Sequence, residues 1–573
     1  MNGLRLTLLV AAVCLFGVAG VAVTGAGDGD SPTFDSQATG VLADTHVDEC
    51  AATPPGDHAD PEGGTDEVIG WVDGYWYNES LDIEGQAIEE DELDSFVART
   101  AARVEALRCL AFDEVPPTEL LTREEYGASL DPHFDNISHE EWQFEDARLA
   151  TMLVAGQEVD AKELQREVQT AFPAAFYDTQ DEVMGFITDD PDTLEIDQVT
   201  LAHELTHALQ DQHFGLGDVF DRPTNDQFIA ALSVAEGDAT TVDAMYEDNC
   251  EQEVWADECL IQPQDPDVDI PSFALALNQL AAYETPLVAE RAQESWDEVD
   301  VLFETYPDSM VEAIYPNRYG EFERADITVE DRSSDEWERI LLENEDGEAE
   351  EAFDIIGQHG LTSILATPSF ETGSAVNVID VFEFQQPHAG GDFNYSVSET
   401  SGWQADELYG YTNDAGDNAS VWKLAWEDSD EAERFADAYA DLISYRDGSL
   451  LDGYENVYTF ENADEYDMAL ALEHDGDRVW VVTAPTTDDL TAVHEDIELL
   501  EADDDPSGEN GEDNDNGVDD GVEDDEIEDD TVEDDEVEDE DGAALGLLHA
   551  AVGLVAVVAL ALILSLVSMR RQG

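Results

Sequence analysis

The sequence predicts an α+β protein, in which a mainly helical region is followed by an α+β domain, an acidic stalk and one membrane helix. Apolar residues recur at helical spacing in the first half, strand and helix patterns alternate after residue 353, and the last stretch is continuously apolar. The predicted segments are a signal peptide (1–26), a flexible acidic leader (27–66), the mainly helical region (67–343), the α+β domain (353–500), a disordered acidic stalk (501–541) and a transmembrane helix (543–568).

The N-terminal segment has the pattern of a secretory signal peptide. An apolar run from Leu4 to Val23 is followed by small residues, so cleavage is expected near Ala26. The leader that follows is rich in Gly, Asp, Pro and Thr and has little apolar surface to bury. An exported protein forms disulfides readily, and a bond between Cys250 and Cys259 would close a short loop. Export also agrees with four N-glycosylation sequons, which lie at Asn78, Asn136, Asn394 and Asn418.

The motif at His203 predicts a metal site. His203 and His207 are four residues apart in a segment with helical apolar spacing, so both imidazoles lie on one face and can reach one ion. A catalytic zinc keeps three protein ligands and one open position. A second helical pattern begins at Asp226 and carries Glu236, 29 residues beyond His207. An antiparallel helix there would supply Glu236 as the third ligand.

This pattern is typical of a zinc hydrolase that cleaves peptide bonds. One zinc per chain would lower the pKa of its bound water to about 7, and Glu204 would act as the general base. The developing oxyanion needs a donor, for which Tyr315, Arg318 and Tyr319 are candidates. The alternative is an amphipathic helix in which the HExxH pattern arose by chance.

The chain is strongly acidic, with 141 Asp and Glu against 20 Lys and Arg and a formal net charge of −121. Salt screens such self-repulsion, because the Debye length is about 3 Å at 1 M ionic strength. We therefore expect a halophilic, archaeal source. The same charge repels phosphate backbones, so no nucleic-acid partner is expected.

The segments HELTHALQDQHF and SVAEGDAT, with the region around Tyr315, resemble a family of mostly uncharacterised exported prokaryotic proteins with a gluzincin-like metallopeptidase site. The acidic, surface-anchored form is similar to haloarchaeal surface proteins. The resemblance covers about residues 65–500 and implies a zincin-like fold. In that family the position that matches Tyr315 is often histidine. A tyrosine hydroxyl can also donate a hydrogen bond to the oxyanion. The zinc ligands and the base that the resemblance implies are His203, His207, Glu236 and Glu204.

After residue 353 the pattern is strand, strand, helix, strand, strand, helix, which predicts helices on one face of an antiparallel sheet. A short strand before the HExxH helix, at residues 182–190, is expected to offer an edge to an extended substrate. Residues 501–541 carry 25 acidic groups and no basic group, as a solvated stalk would. The apolar run from Ala543 to Ser568 is long enough to span a bilayer, and Arg570 would lie on the cytoplasmic side.

Together these patterns predict a membrane-anchored cell-surface zinc metallopeptidase acting on peptide or protein substrates. The alternative is a non-catalytic structural or adhesion protein of the cell surface that keeps the metallopeptidase scaffold. The presence of Glu204 favours the enzyme, because a purely structural metal has no use for a carboxylate that does not bind it.

Overall fold

The computed structural model describes residues 50–501, apart from 62–67, 82, 84–86, 89–91, 158, 172, 189–195, 253, 256–258, 261–269, 335, 345–346, 389, 461–465 and 496. The expected signal peptide, most of the leader, the stalk beyond Glu501 and the transmembrane helix lie outside the described residues. Among the residues that are described, no helix combines the length and the apolar character needed to cross a bilayer.

The described fold contains both helices and strands. The helices are α1 (Leu93–Arg108), α2 (Arg123–Asn136), α3 (His139–Thr151), α4 (Ala161–Ala171), α5 (Gln198–Phe214), α6 (Asn225–Glu251), α7 (Phe273–Leu280), α8 (Pro286–Glu294), α9 (Trp296–Glu304), α10 (Met310–Ile314), α11 (Gly357–Glu371), α12 (Val381–Phe384), α13 (Ser429–Tyr445) and α14 (Thr487–Val493). The strands are β1 (Trp71–Val72), β2 (Tyr75–Trp76), β3 (Thr118–Leu121), β4 (Ala175–Asp178), β5 (Val183–Ile187), β6 (Glu338–Arg339), β7 (Leu341–Glu343), β8 (Ala349–Glu351), β9 (Phe353–Asp354), β10 (Trp403–Thr412), β11 (Asn418–Trp426), β12 (Gly448–Leu450), β13 (Val457–Phe460), β14 (Ala469–Asp475) and β15 (Arg478–Ala484).

Helix α5 contains the HExxH motif and begins directly after its N-cap residue, Asp197. The carboxylate of Asp197 accepts hydrogen bonds from the backbone N–H groups of Val199 and Thr200, at 2.9 and 3.0 Å. These bonds satisfy donors that the first turn of a helix leaves unpaired. Thr224 caps α6 in the same way through the N–H of Gln227. The N-terminal end of each helix is thereby fixed by the side chain of its N-cap residue.

Helices α5 and α6 pack side by side and run antiparallel. Their contacts pair His203 with Asp243 and Gln210 with the carbonyl of Ala235, so the two sequences run in opposite directions. The connection is residues 215–224, and α6 begins one residue before Asp226, where the sequence predicts the second helix. The two helices therefore face each other along the motif.

A three-stranded sheet lies beside α5, in the order β3-β5-β4. Strand β5 is parallel to β3 and antiparallel to β4, so both of its sides are hydrogen-bonded. The expectation that this strand offers an edge to a substrate is therefore wrong. The sheet edge that packs against α5 belongs to β4, whose Tyr177 hydroxyl donates to Asp211 of that helix at 3.1 Å.

The second sheet has eight strands, all antiparallel, in the order β12-β13-β14-β15-β11-β10-β6, with β9 also paired to β10. Helices cover both of its faces, and not one face as the pattern predicted. On one side Trp426 stacks on Phe435 of α13 at 4.6 Å between ring centroids. On the other side Val421 packs in a separate core cluster with Leu490 and Val493 of α14. Strand β11 is apolar on both faces, so each face needs a cover.

The helices around α5 and the eight-stranded sheet share one core. A single cluster of buried apolar residues extends from Val72 to Val481.

Two disulfides complete the described fold, Cys50–Cys109 and Cys250–Cys259. The second confirms the predicted loop closure at the end of α6.

Candidate metal centre

The three residues predicted as metal ligands lie together in the fold. One ligand atom from each of His203, His207 and Glu236 lies within 4.8 Å of the other two. The Nε2 atoms of His203 and His207 are 3.2 and 3.4 Å from the same oxygen, Oε2 of Glu236. This buried group can bind a metal ion.

The sequence around Glu236 explains how α6 carries the carboxylate into this position. Gly237 lies where a Cβ atom would be 2.1 Å from Oγ1 of Thr285 and 3.0 Å from Val288, at the start of α8. Only glycine allows α8 to approach α6 this closely. The Glu-Gly-Asp sequence therefore combines a ligand, a close helix contact and the buried carboxylate of Asp238.

Both histidines are held by their Nδ1 atoms, which leaves Nε2 directed at Glu236. Nδ1 of His203 is 2.6 Å from Oδ2 of Asp243, and Nδ1 of His207 is 3.0 Å from Oε1 of Gln210. A histidine that donates its Nδ1–H to such an acceptor keeps the Nε2 lone pair for a metal. The tautomer that metal binding requires is therefore built into the contacts of the site.

A chain of buried polar groups supports Gln210. Its amide donates to the carbonyl of Ala235 at 2.9 Å and to Oδ2 of Asp238 at 3.0 Å. Oδ1 of Asp238 accepts from Nε of Arg108 at 2.7 Å. Arg108 also forms an ion pair with Asp300, at 2.5 Å. The orientation of His207 thus depends on a residue at the end of α1.

Glu204 lies beside the ligand group and is not a member of it. Its two carboxylate oxygens are buried and have no hydrogen-bond partner in the described part of the chain. Burial raises the pKa of Glu204 to about 7, although His207 and His203 oppose that rise. A carboxyl group with a pKa near neutrality is suited to accept and return a proton.

The donor set fits a divalent cation. Burial disfavours the charge of Glu236, yet the two histidines hold its pKa at about 2, so it is a carboxylate at neutral pH. Two imidazoles and one carboxylate are ligands that zinc prefers, and Nε2 of His207 forms no hydrogen bond within the described residues. His203, Glu204, His207 and Glu236 are at most 2% exposed.

The structure does not bring Tyr315 into this group. Its hydroxyl accepts a hydrogen bond from Nε2 of Gln358 at 3.0 Å, and no hydrogen bond described for it reaches the ligands or Glu204. Tyr319 donates to the carbonyl of Thr305, and Arg318 lies over Phe322. The predicted role of Tyr315 as oxyanion donor therefore stays a prediction.

Sequence reasoning missed Tyr126, which lies within electrostatic range of Glu204. Tyr126 is 1% exposed, and its ring centroid is 5.2 Å from that of Phe176 on β4. Burial is the main cause of the raised pKa of Tyr126, and the Glu204 carboxylate adds to it. No motif marks this position, because α2 lies far from α5 in sequence.

Asp243 was also missed, and its contact with His203 gives a testable prediction. We expect Asp243→Ala to weaken metal binding about 10- to 100-fold, because His203 loses the acceptor that fixes its tautomer. A competition titration with a chromogenic chelator measures this change. Asp248→Ala, five residues further along α6, is the matched control and should bind metal like the wild type. Equal affinity in both variants would show that Asp243 does not orient His203.

The comparisons with known proteins concern mainly the second sheet. A family model described as a domain of unknown function, DUF8575, matches residues 344–494. No curated protein and no solved structure matches the chain. Residues 344–494 are therefore similar to this family, and the helices that carry the metal ligands lie before the match.

Proposed function

We propose that this chain is a zinc-dependent metallopeptidase with a zincin-like catalytic region. The observation that carries the proposal is Glu204, a buried carboxylate without a hydrogen-bond partner in the described structure, beside a three-residue ligand group. A desolvated carboxylate is costly to the fold and adds nothing to a purely structural metal site. Its position is explained if it moves a proton during hydrolysis.

Each residue has a defined part in that reaction. His203, His207 and Glu236 would hold the zinc, and Asp243 and Gln210 would orient the two imidazoles. When bound, zinc supplies Lewis-acid chemistry that acidifies water and polarises a carbonyl group. Glu204 would take the proton from the attacking water and deliver it to the leaving amine.

We further propose that the enzyme acts at the cell surface, exported by its signal peptide and anchored by residues 543–568. The two disulfides agree with an oxidising compartment. The acidic stalk would hold the catalytic region away from the membrane.

A second candidate is a metal-stabilised surface protein without activity. The observation that favours it is the burial of the site, since a catalytic zinc needs an open position that substrate can reach. Hydrolysis would require this position to become accessible to substrate.

Metal analysis combined with peptide hydrolysis separates the two candidates. The purified protein, kept in molar KCl, should contain one zinc per chain and cleave peptides from a proteome-derived library. Chelation should stop cleavage, and added zinc should restore it. Bound zinc without cleavage of any library peptide would support the second candidate. Absence of bound zinc after incubation with the metal would contradict both.

The oxyanion donor can be identified by comparing two tyrosines. We expect loss of the donor hydroxyl to lower kcat about 100-fold with little change in KM, because the hydrogen bond forms in the transition state. Tyr315→Phe tests the donor predicted from the sequence, and Tyr126→Phe tests the tyrosine within electrostatic range of Glu204. Steady-state kinetics on one fluorogenic peptide measures both. If neither variant changes kcat, neither hydroxyl is the donor.

A further inference from the structure

A cavity separate from the metal centre lies between the helical region and strand β9. Its volume is 140 Å³, close to the roughly 150 Å³ of an engineered protein cavity that binds benzene. Its apolar lining includes the rings of Phe144, Phe220 and Phe228, with Val168 and Leu275. Phe353, which also lines the cavity, is 38% exposed and gives access from solvent.

The acidic residues that line the cavity already have partners. Glu145 accepts hydrogen bonds from two of the three side-chain nitrogens of Arg148, from Nε at 2.7 Å and from Nη2 at 2.5 Å. Asp354 accepts from the backbone N–H of Asn225 at 2.7 Å and lies 3.5 Å from Arg148. A cationic ligand would find no free carboxylate here.

Two donors that belong to lining residues have no hydrogen-bond partner in the described part of the chain. The side-chain nitrogen of Gln169 is buried and has no hydrogen-bond partner among the described residues, and the residue is 8% exposed. Nε of Arg222 is likewise buried without a partner in that part of the chain. The guanidinium of Arg222 lies over the ring of Tyr306 at 5.0 Å and forms no described ion pair. Buried N–H groups normally bond to protein, water or a ligand.

We propose that this cavity binds a small monocarboxylate with an apolar tail of about the size of a phenyl or isobutyl group. The tail would pack against Phe144 and Phe228, and the carboxylate would accept hydrogen bonds from Gln169 and Arg222. A guanidinium for which no ion pair is described favours an anionic acceptor over a neutral one. The volume limits the ligand to about ten heavy atoms.

The cavity joins parts of the chain that are distant in sequence. Gln169 lies on α4, Thr224 and Asn225 begin the helix that carries Glu236, and Phe353 and Asp354 lie within the residues matched by the family model. Because such a ligand would bind the folded state alone, it should also stabilise this junction. The proposal does not depend on peptidase activity.

Calorimetric titration of the full-length protein in molar KCl tests the proposal, with phenylacetate as the probe. We expect a dissociation constant on the order of 1 mM, which ordinary ligand efficiency allows for about ten heavy atoms. Phenethylamine has the same ring but a cationic end, and acetate has the carboxylate without the tail. Both should bind at least about tenfold more weakly, because phenethylamine lacks the carboxylate that the donors would bind and acetate lacks the apolar tail.

Variants show whether binding occurs in this cavity. Arg222→Leu and Gln169→Leu should each weaken phenylacetate binding about tenfold, as expected for loss of a hydrogen bond to a charged group. Val168→Phe should abolish binding by filling the cavity. Arg434→Leu, an arginine of α13 outside the lining, is the matched control and should bind like the wild type. Absence of saturable binding up to about 10 mM, equal binding of phenethylamine, or binding unchanged by both Arg222→Leu and Val168→Phe would overturn the proposal.

Discussion

Replacing Glu204 by glutamine is expected to lower peptide hydrolysis about 10²- to 10⁴-fold while the metal content stays at that of the wild type. Glutamine has nearly the same volume but cannot accept the proton from water, and general-base catalysis contributes a factor of this size. The metal should remain because the ligand group consists of His203, His207 and Glu236. Elemental analysis and kinetics on the same preparations measure both quantities.

The control for this prediction is Glu251→Gln, at the exposed C-terminal end of α6. It makes the same chemical change and should leave both hydrolysis and metal content unaltered. Full hydrolysis by Glu204→Gln would show that another group accepts the proton. Loss of metal in that variant would show that Glu204 supports metal binding, contrary to the role proposed for it.

The three-residue ligand group could be predicted because its geometry is largely local. The spacing of His203 and His207 fixes their common face as soon as the segment is helical. Glu236 requires one further step, an antiparallel helix after a short connection, and the apolar pattern from Asp226 indicated that helix. These steps need the helical period and one loop length, both of which can be read from a single sequence.

The residues that support the ligands could not be predicted in this way. Asp243 lies on the face of α6 that carries Glu236, but its contact depends on the rotation of α6 against α5, which packing sets. Arg108 reaches Asp238 from a helix 130 residues earlier. The residue pattern within one segment does not indicate a contact with a side chain of another, distant segment.

The two wrong predictions about the sheets also concern contacts between segments that are distant in sequence. The sequence of β5 does not show whether the strand lies at the edge or in the centre of a sheet. It is central because β3, about 65 residues earlier in the chain, pairs with its free side. The apolar residues on both faces of β11, such as Val421 and Trp422, were a signal that two layers would cover it. The family match ends at residue 494, just after α14 covers the second face.

Replacing Arg108 by methionine is expected to destabilise the protein by about 3–5 kcal/mol, the cost of removing one partner of a buried ion pair. Arg108 is 1% exposed, and Asp238, its partner, is fully buried. The substitution keeps an apolar chain against Trp296, whose ring lies 4.4 Å from the guanidinium. The loss therefore comes mainly from the uncompensated charge of Asp238, and it is a large part of the roughly 5–15 kcal/mol that stabilises a typical domain.

Urea denaturation in molar KCl, followed by near-UV circular dichroism, measures this loss. The double variant Arg108→Met, Asp238→Asn should recover much of the stability, because it removes the buried charge while Gln210 keeps an acceptor. Arg166→Met is the exposed control: Arg166 and Asp131 are 39% and 51% exposed, so the loss should be at most about 1 kcal/mol. Because Asp238 positions Gln210 against His207, Arg108→Met should also weaken zinc binding. If the double variant is no more stable than Arg108→Met, packing around Arg108, and not the charge of Asp238, determines the stability of this region.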